Sequence, residues 1–497
     1  MTGECILAID QGTTNTKALL VDRDGRTVFR TSAPLALLQP QPGFVEQDPE
    51  ALWESVRRVV AACAEHAKSA GATIAGIAIS NQRETAVTWK RTPQGEPVGN
   101  AITWQCRRSA PVCEKLSAYA ATIQSITGLP LDPLLSATKW EWLLEQQPEL
   151  RGAARAGKIC LGTVDSWLLY KMTSGEAHAT DHTNASRTAL MNLAALEWDA
   201  ALLDLFAIPR VAMPSLRTSS GVFGVCAAIP ELEGMPIVSM IGDSHAALAG
   251  HGHLATGTVK ATYGTGSSLM MLTKTPGDVR ELARTVAWTT KDEAHFALEG
   301  NIAMSGAAVQ WVGEFLGLPR PIEDAAALAA TVPDAAGLVL VPAMVGLGAP
   351  YWDSTARGLA TNLERSHTAA HLAHAAVDAI AFQVADVLEA METAANIMVP
   401  LLLADGGATR NDALMQMQAD ILDKPVHRSM EEDLSARGAA MLGGVALGWW
   451  RGPEDLHISA TRAQVFEPRM TATERDRLRS AWRHAVRRAR LRQEPEA

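Results

Sequence analysis

Residues 10–17 of the chain read Asp10-Gln11-Gly12-Thr13-Thr14-Asn15-Thr16-Lys17. This polar stretch joins the apolar runs 5–10 and 18–22, and a third apolar run begins at residues 28–31. Apolar runs separated by turn signals predict a β-meander. Residues 52–68 then show the apolar spacing of a helix, and residues 74–80 form an apolar run that predicts a buried strand. Because strands alternate with helices from here on, the predicted fold class is α/β.

The same polar stretch has the chemistry of a phosphate-binding turn. Gly12 lets the backbone approach a ligand closely, and the hydroxyls of Thr13 and Thr14 add donors. Asp10, at the end of a strand, can hold a hydrated Mg²⁺, and Lys17 adds a positive charge. Since Gly and Thr are also common in hairpins, these residues alone leave open a phosphate-binding turn or an ordinary one. The chain has no G-x-x-x-x-G-K-[ST] sequence, which excludes a P-loop.

Two further glycine turns lie in the second half of the chain. The first, between predicted strands 258–261 and 268–272, reads Tyr263-Gly264-Thr265-Gly266-Ser267-Ser268. This second strand–turn–strand unit predicts two related halves that face one another, although two unrelated hairpins would give the same pattern. The other turn, after a predicted strand at 401–404, reads Asp405-Gly406-Gly407-Ala408. Its glycines permit close approach of a planar group such as adenine, or it is a strand-to-helix connection without a ligand.

A carboxylate ends another predicted strand, at residues 236–241. The sequence there reads Ile241-Gly242-Asp243-Ser244-His245. Phosphorylation of an alcohol needs a base near the attacking oxygen, and Asp243 at a strand end is held rigidly enough to serve. The alternative is that Asp243 caps a helix over residues 244–250. We expect His245 to be structural.

A polar cluster follows the buried strand at residues 74–79. It reads Ser80-Asn81-Gln82-Arg83-Glu84-Thr85. Arg83 offers forked donors and Glu84 a carboxylate acceptor, which suits the adjacent hydroxyls of a polyol. The alternative is a surface ion pair, worth about 0–1 kcal/mol. Trp104 could place its ring against the carbon skeleton of a carbohydrate, or it could be a core tryptophan.

Size and charge limit the remaining possibilities. The chain has 497 residues, which is too long for one core, and we predict two domains, residues 1–246 and 247–497. The net charge of −10 argues against a nucleic-acid partner, because binding to phosphates along a strand needs a basic surface. The basic amphipathic stretch 474–492 is interpreted as a solvated surface helix, with a partner site as the alternative.

The apolar segments and the cysteines indicate in which cellular compartment the protein works. The longest apolar stretches, at residues 338–350 and 439–450, are shorter than the roughly 20 residues of a membrane span, so we expect no membrane partner. The six cysteines show neither a C-x-x-C pair nor metal-ligand spacing, and no signal peptide precedes them. They are interpreted as reduced thiols of a cytoplasmic protein.

Together these residues resemble the FGGY carbohydrate kinases, and within that family the glycerol kinases. The resembling stretches are residues 10–17, 80–85, 104–108, 165–169, 181–188, 202–209, 242–248, 262–266, 306–311, 346–358 and 405–423. The resemblance covers nearly the whole chain. It implies an actin/hexokinase-like ATPase fold of two ribonuclease-H-like domains around a central cleft, and a cytoplasmic homo-oligomer, a dimer. The first domain would bind substrate and part of the phosphates, and the second would bind the nucleotide.

The resemblance also implies a role for particular residues in ATP- and Mg²⁺-dependent phosphorylation of a small polyol or sugar. Asp243 corresponds to the catalytic base, and Asp10 lies near Mg²⁺. Residues at the phosphates are Thr13, Thr14, Lys17 and Thr265; other nucleotide contacts are Gly306, Gln310, Gly407 and Asn411; and substrate contacts are Arg83, Glu84 and Trp104.

Three substrate positions depart from the pattern of the glycerol kinases. Leu134 replaces a tyrosine, Ser244 a glutamine and Ser268 a phenylalanine. A roomier pocket with different hydrogen-bond partners predicts a larger substrate, such as a four- or five-carbon polyol or ketose. Two alternatives are an actin- or chaperone-like ATPase, which would not need Arg83, Glu84, Trp104 and Asp243 as a set, and a catalytically silent sugar sensor.

Overall fold

The computed structural model describes residues 3–252, 255–275, 277, 279–452 and 463–491. The strands of the first half are β1 (Glu4–Gln11), β2 (Asn15–Asp22), β3 (Thr27–Pro34), β4 (Glu46–Gln47), β5 (Thr73–Asn81), β6 (Val87–Lys90), β7 (Ala101–Ile102), β8 (Ile159–Gly162), β9 (Ala179–Asp181), β10 (Met191–Asn192), β11 (Glu197–Trp198), β12 (Ser215–Arg217), β13 (Ser220–Val225) and β14 (Pro236–Gly242). Its helices are α1 (Pro49–Ser69), α2 (Ala110–Lys115), α3 (Ala120–Thr127), α4 (Ser136–Gln146), α5 (Pro148–Arg155), α6 (Val164–Met172), α7 (His182–Ser186), α8 (Ala200–Leu205) and α9 (Asp243–Gly250).

The second half continues in the same alternating manner. Its strands are β15 (Val259–Tyr263), β16 (Ser267–Thr273), β17 (Ala283–Thr289), β18 (Ala294–Ile302), β19 (Val339–Val341), β20 (Leu359–Thr361), β21 (Leu402–Asp405), β22 (Val426–Ser429) and β23 (Ala463–Phe466). Its helices are α10 (Gly306–Phe315), α11 (Pro321–Ala329), α12 (Ala369–Ala395), α13 (Asp412–Leu422), α14 (Leu434–Ala446) and α15 (Ala472–Ala489).

The first large sheet has the strand order β13-β14-β5-β1-β2-β3. Strands β1, β2 and β3 form the predicted antiparallel meander. Strands β5 and β14 lie parallel to β1, and the edge strand β13 is antiparallel to β14. The carboxyl ends of β1, β5 and β14 therefore meet at one edge of the sheet.

The second large sheet, with the order β17-β18-β16-β15-β21-β22-β23, repeats this arrangement. Its antiparallel part is formed by β15, β16, β18 and β17. Strands β21 and β22 lie parallel to β15, and β23 is an antiparallel edge strand. The repeated topology favours two related halves over two unrelated hairpins.

Strand β1 is buried on both faces because helices cover both sides of the first sheet. Leu7 and Ile9 belong to one apolar cluster with Val56 of α1. Ile6 and Ala8 belong to another cluster, to which α14 contributes. Since consecutive side chains of a strand point to opposite faces, an unbroken apolar run of this kind is typical of an internal strand.

Helix α14 lies late in the sequence but packs against the first sheet. Its residues Ala439 and Leu442 share one apolar cluster with Ile6 and Ala78 of that sheet. It also crosses α9, the helix that leads from the first half into the second. The predicted boundary at residues 246/247 falls inside α9.

The crossing of α9 and α14 is a close contact between helix backbones. A Cβ atom on Gly438 would lie 1.8 Å from the carbonyl oxygen of Ala246, and one on Gly250 would lie 2.3 Å from that of Leu434. We expect Gly438→Ala to lower the free energy of unfolding by about 1–3 kcal/mol or more, because the helices must move apart. Urea denaturation measures this change.

The matched control is Gly152→Ala in α5, where an added Cβ would meet no atom within 4 Å. That substitution should be neutral or stabilising, because alanine has the higher helix propensity. Equal unfolding midpoints for the two variants would contradict the close crossing.

The basic C-terminal helix α15 is only partly the solvated helix that the sequence predicts. Trp482 and Val486 belong to the apolar core of the second half. Arg479 is buried and pairs with Asp386, with 2.9 Å between Nη1 and Oδ1. The helix ends at Ala489, and the predicted end at Arg492 lies outside the described residues. In the part of the chain that the structure describes, no helix has the length and apolar character needed to cross a bilayer.

Candidate active site

The polar residues predicted from three separate stretches converge at the carboxyl edge of the first sheet. In the strand register, Asp10 of β1 lies opposite Ser80 of β5, and Gly242 of β14 lies opposite Asn81. The Ser80 hydroxyl donates a hydrogen bond of 3.1 Å to Oδ1 of Asp10. Because neighbouring parallel strands end together, Asp10, the cluster after Ser80, and Asp243 are brought to one place.

The Asp10 carboxyl lies in a desolvated position at this edge. Burial raises its pKa to about 6, with a further contribution from the negative charge of Asp243, while Lys17 opposes the rise. A half-buried carboxylate near a second carboxylate is the kind of arrangement that attracts a cation.

Asp243 is the first residue of α9 and remains partly open to solvent. Its Oδ1 accepts the backbone N–H of Ser244 at 2.6 Å and lies 3.2 Å from Nε of Arg83. The side chain is 37% exposed. Burial raises the pKa of the Asp243 carboxyl above its ordinary value, and the Arg83 guanidinium limits that rise. The N-cap position of α9 is Gly242, and no side chain caps this helix, so Asp243 is not the helix cap of the alternative interpretation; it lies beside the predicted substrate residue Arg83.

Because Gly242 has no side chain, Arg83 and His245 can approach the backbone next to Asp243. An added Cβ there would lie 2.8 Å from Cγ of Arg83 and 2.9 Å from Nδ1 of His245. His245 is fully buried, and its Nε2 lies 3.1 Å from the Thr285 hydroxyl. Burial and the nearby Arg83 lower the pKa of His245 well below its ordinary value, which agrees with a neutral, structural histidine.

Glu84 is buried and the side chain of Arg83 is only 10% exposed, which rules out the surface ion pair. Burial alone would lower the pKa of Arg83, but the charges of Glu299, Glu84 and Asp243 raise it above its ordinary value. Glu84 has a left-handed backbone with φ of 61°. Its carbonyl oxygen accepts hydrogen bonds from the Ser136 hydroxyl at 3.0 Å and from Nζ of Lys139 at 3.2 Å. The unusual backbone of Glu84 is therefore tied down by α4.

Two residues that the sequence reasoning did not single out, Arg187 and Glu299, complete this cluster. Nε of Arg187 donates to Oε1 of Glu84 at 2.6 Å. Oε1 of Glu299 accepts Nη1 of Arg83 at 2.9 Å, and Oε2 lies 2.7 Å from Nη1 of Arg187. A charged residue inside the otherwise apolar run Phe296-Ala297-Leu298-Glu299-Gly300 was the available signal.

Trp104 is 37% exposed, so it is not a core tryptophan. Its indole Nε1 donates to the Thr13 hydroxyl at 2.9 Å, and its backbone N–H donates to the Thr85 hydroxyl at 3.2 Å. The exposed ring therefore bridges the predicted phosphate turn and the cluster of Arg83 and Glu84.

The three positions that depart from the glycerol kinase pattern lie around the same cluster. The carbonyl oxygen of Leu134 accepts from Lys139, the lysine that also holds Glu84. Burial lowers the pKa of Lys139 to about 8. Ser244 follows Asp243 directly, and the Ser268 hydroxyl donates to Oε1 of Glu299 at 3.3 Å.

Lys17, predicted at the phosphates, makes a contact across the two halves. Its Nζ lies 2.6 Å from Oδ1 of Asp433, the residue before α14. Burial alone would lower the pKa of Lys17, but the Asp433 carboxylate raises it. Thr14 is exposed at the tip of the turn, and the carbonyl oxygen of Thr13 accepts from Gln47 at 2.6 Å.

The carboxyl edge of the second sheet brings together Thr265 and Gly306. The carbonyl oxygen of Thr265 accepts the backbone N–H groups of Ser305 and Ala307 at 3.1 and 2.9 Å, and the Thr265 side chain is exposed. A Cβ on Gly306 would lie 2.6 Å from the carbonyl oxygen of Gly264, so only glycine fits at the start of α10.

The other predicted nucleotide residues have the following positions. Gly407 is exposed, and an added Cβ would meet no atom within 4 Å. Asn411 caps α13 by accepting the N–H of Leu414 at 3.1 Å, and Nε2 of Gln310 donates to Glu314 at 2.8 Å along α10. The structure thus places Gly407 on an open surface, whereas Asn411 and Gln310 have local partners.

The carboxyl edges of the two sheets lie close enough to share electrostatic partners. Lys260 of β15 is fully buried, and its charge opposes the rise in the pKa of Asp243 and helps to lower the pKa of Asp405. Glu299 of the second sheet contacts Arg83 of the first. Two sheets of the same topology, each with an acidic strand end and a glycine turn at its carboxyl edge, define an enzyme of the actin/hexokinase-like ATPase class.

Within this class, residues 5–250 match the N-terminal domain of the FGGY family of carbohydrate kinases, and residues 259–447 match its C-terminal domain. The chain belongs to this family and is a kinase. The predicted family and fold class are thereby confirmed, and the kinase is favoured over an actin- or chaperone-like ATPase.

Individual relatives agree with this assignment. The chain is 43% identical over 493 residues to a glycerol kinase of Burkholderia ambifaria, covering 98% of each protein. It is also similar to the crystal structure of Plasmodium falciparum glycerol kinase with ADP, with a TM-score of 0.92, 28% identity and 99% coverage of both chains. A xylulose kinase of Rhodospirillum rubrum, 24% identical with a TM-score of 0.84 and coverage of 97% and 98%, shares the fold.

Proposed function

We propose that the protein transfers the γ-phosphoryl group of ATP to a hydroxyl of a small polyol, as a glycerol kinase does. The observation that carries this proposal is the joint position of Asp243, Arg83 and Glu84 at one sheet edge. At that edge the partly exposed Asp243 carboxylate lies close to the forked donor Arg83 and the buried acceptor Glu84. The Burkholderia and Plasmodium relatives, both glycerol kinases, support the same reaction.

In this proposal each residue of the substrate site has one task. Asp243 accepts the proton of the attacking hydroxyl, since phosphoryl transfer requires a positioned base. Arg83 donates to substrate oxygens and Glu84 accepts from substrate hydroxyls. The exposed ring of Trp104 packs against the carbon skeleton of the polyol.

The nucleotide would lie between the turn at residues 10–17 and the turn at residues 263–268. Thr13, Thr14 and Lys17 of the first turn and Thr265 of the second would contact the phosphates. The remaining predicted contacts, on the side of the second sheet, are Gly306, Gln310, Gly407 and Asn411. The open surface at Gly407 and the ADP in the Plasmodium relative support this placement.

The donor set at Asp10 fits a magnesium ion. Within the described ranges, no group of three or more His, Cys, Asp and Glu residues could hold a metal. Mg²⁺ in kinases is bound by one or two carboxylates together with water and substrate phosphates, and the half-buried Asp10 carboxylate offers such a ligand. When bound, the ion neutralises the negative charge of the phosphates. The task of Asp10 is to hold the ion at the sheet edge beside Asp243.

A four- or five-carbon polyol or ketose is the second candidate substrate. It is favoured by Ser268, a small side chain that donates to Glu299 at 3.3 Å within the substrate cluster. At this position the serine leaves more space than the phenyl ring of the glycerol kinase pattern, and its hydroxyl adds a hydrogen-bonding group. Ser244 and Leu134 alter the pocket further, so its shape and hydrogen-bond partners differ from that pattern.

Three broader features belong to the same proposal. The chain would divide into domains 1–246 and 247–497, and the FGGY matches on either side of residue 250 support this. The protein would be cytoplasmic, which the free state of all six cysteines supports. It would assemble as a homodimer.

Loss of the Glu84 carboxylate should weaken polyol binding selectively. We expect Glu84→Gln to raise the KM for the polyol by about 10–100-fold, because hydrogen bonds to a charged group contribute about 1.5–3 kcal/mol. Truncating Arg83 should act in the same direction. The KM for ATP should change little, and steady-state kinetics with each substrate varied in turn measure both constants.

The matched control is Glu141→Gln, which changes a buried glutamate of α4 that pairs with Lys115 and Arg151. It should leave both KM values unchanged. A shift in the KM for ATP with a constant polyol KM would mean that Glu84 does not bind the substrate.

A further inference from the structure

Glu299 is a fully buried glutamate of the second sheet, and its side chain reaches the substrate site at the edge of the first sheet. It lies on β18, in register with Met270 of β16 and Ala283 of β17. Its relative exposure is 0%. A carboxylate without solvent is retained only where cations or donors compensate for the loss of water.

Both carboxylate oxygens of Glu299 face guanidinium groups of the first half. Oε1 accepts Nη1 of Arg83 at 2.9 Å and also the Ser268 hydroxyl at 3.3 Å. Oε2 lies 2.7 Å from Nη1 of Arg187. Burial alone would raise the pKa of Glu299, but the charges of Arg187 and Arg83 hold it well below its ordinary range. Glu299 is therefore an anion between two cations.

These contacts form one continuous chain of alternating charges. It runs from Asp243 to Arg83, Glu299, Arg187 and Glu84, with closest distances of 3.2, 2.9, 2.7 and 2.6 Å. The proposed base and the proposed hydroxyl acceptor are thus the two ends of a chain whose centre is Glu299. Each guanidinium in this chain lies between two carboxylates, and their negative charges restrict its orientation.

We propose that Glu299 is a positioning residue of the substrate site. It orients Arg83 directly and Glu84 through Arg187, and because it comes from the second sheet, the site is complete only when the two sheets are packed as observed. This inference rests on the proposed function of Arg83 and Glu84 in binding the polyol. Glu299 itself is not assigned a contact with the substrate.

The test is the kinetics of Glu299→Gln, which keeps the shape of the side chain and removes its charge. We expect the KM for the polyol to rise about 10–100-fold and kcat to fall, because both guanidiniums lose an anionic partner and the base loses its fixed neighbour. The KM for ATP should stay within about twofold. Glu299→Asp keeps the charge but is one methylene shorter, so it should raise the same KM and serves if the glutamine variant does not fold.

A double-mutant cycle separates positioning from a general loss of stability. Because Glu299 acts in part through Arg83, Glu299→Gln should change the polyol KM by a smaller factor in an Arg83→Gln background than in the native protein, where the path through Arg187 to Glu84 is not the only one. Glu141→Gln, in which a buried glutamate also loses two basic partners, should lower the melting temperature and leave the polyol KM unchanged.

Two outcomes overturn the inference and one overturns its basis. A lower melting temperature with unchanged kinetics in Glu299→Gln would show that Glu299 only stabilises the fold, and equal kinetic effects in the presence and absence of Arg83 would show that Glu299 does not orient Arg83. If instead Arg83→Gln and Glu84→Gln leave the polyol KM unaltered, the proposed substrate site itself is wrong.

Discussion

Replacing Asp243 with asparagine should lower kcat by about 10²–10⁴-fold or more, while the protein folds and binds both ligands. Asparagine is nearly the same size, and its oxygen can still accept the Ser244 N–H that Asp243 accepts at 2.6 Å. What it cannot do is accept a proton from the attacking hydroxyl. Steady-state kcat, calorimetric binding of polyol and nucleotide, and thermal unfolding measure the three parts of this expectation.

Asp199→Asn provides the matched control, since Asp199 also begins a helix and accepts the N–H of Leu202 at 3.1 Å. Asparagine caps helices as well as aspartate does, so kcat should not change. In the native protein, kcat/KM should fall as pH drops through the raised pKa of Asp243, because the protonated acid is not a base. Near-normal turnover in Asp243→Asn would remove Asp243 from this role.

A polyol or ketose longer than glycerol should have the highest kcat/KM of the substrates tested. A three-carbon ligand would have fewer hydrogen-bond partners in a pocket with Ser268, Ser244 and Leu134. A site built to hydrogen-bond substrate hydroxyls disfavours a compound that leaves the polar groups of the site unpaired, by up to about 10⁴–10⁵-fold. Looser positioning by about 1 Å adds a loss of about 10²-fold. The measurement compares glycerol with erythritol, threitol, xylitol, erythrulose and xylulose.

Ser268→Phe is the informative variant for this comparison. It fills the space beside Glu299 with a ring and removes the 3.3 Å hydrogen bond, so preference should shift toward glycerol. Ser125→Phe, on an exposed part of α3, controls for the added ring. A clear preference of the native protein for glycerol would mean that Arg83, Glu84, Trp104 and Asp243 set the specificity by themselves.

Local sequence patterns were sufficient to predict the elements that hold the site. The run at residues 74–80 corresponds to β5, and the run at 236–241 corresponds to β14, each within two residues. Polar residues directly after such buried strands stand out against the apolar pattern. Because parallel strands end at a common edge, Arg83 and Asp243 could be expected to meet.

The partners of these residues could not be predicted in the same way. Glu299 reaches Arg83 only because two different sheets pack together, and no local pattern encodes that packing. The pairing of Lys17 with Asp433 depends on α14 crossing to the first sheet. Contacts between residues so distant in sequence depend on the arrangement of the whole molecule.

Because α14 packs on the first sheet, the first half of the chain cannot be expressed alone without losing part of its core. A truncated product ending at residue 246 would lack Ala436, Ala439 and Leu442, which cover Ile6 and Ala78 in the whole protein. That fragment would present a bare apolar face to water and invite aggregation. If the two halves descend from a duplicated ancestor, the packing of this helix of the second half on the first sheet made the first half dependent on the second, so that the first half is no longer an autonomous unit of expression.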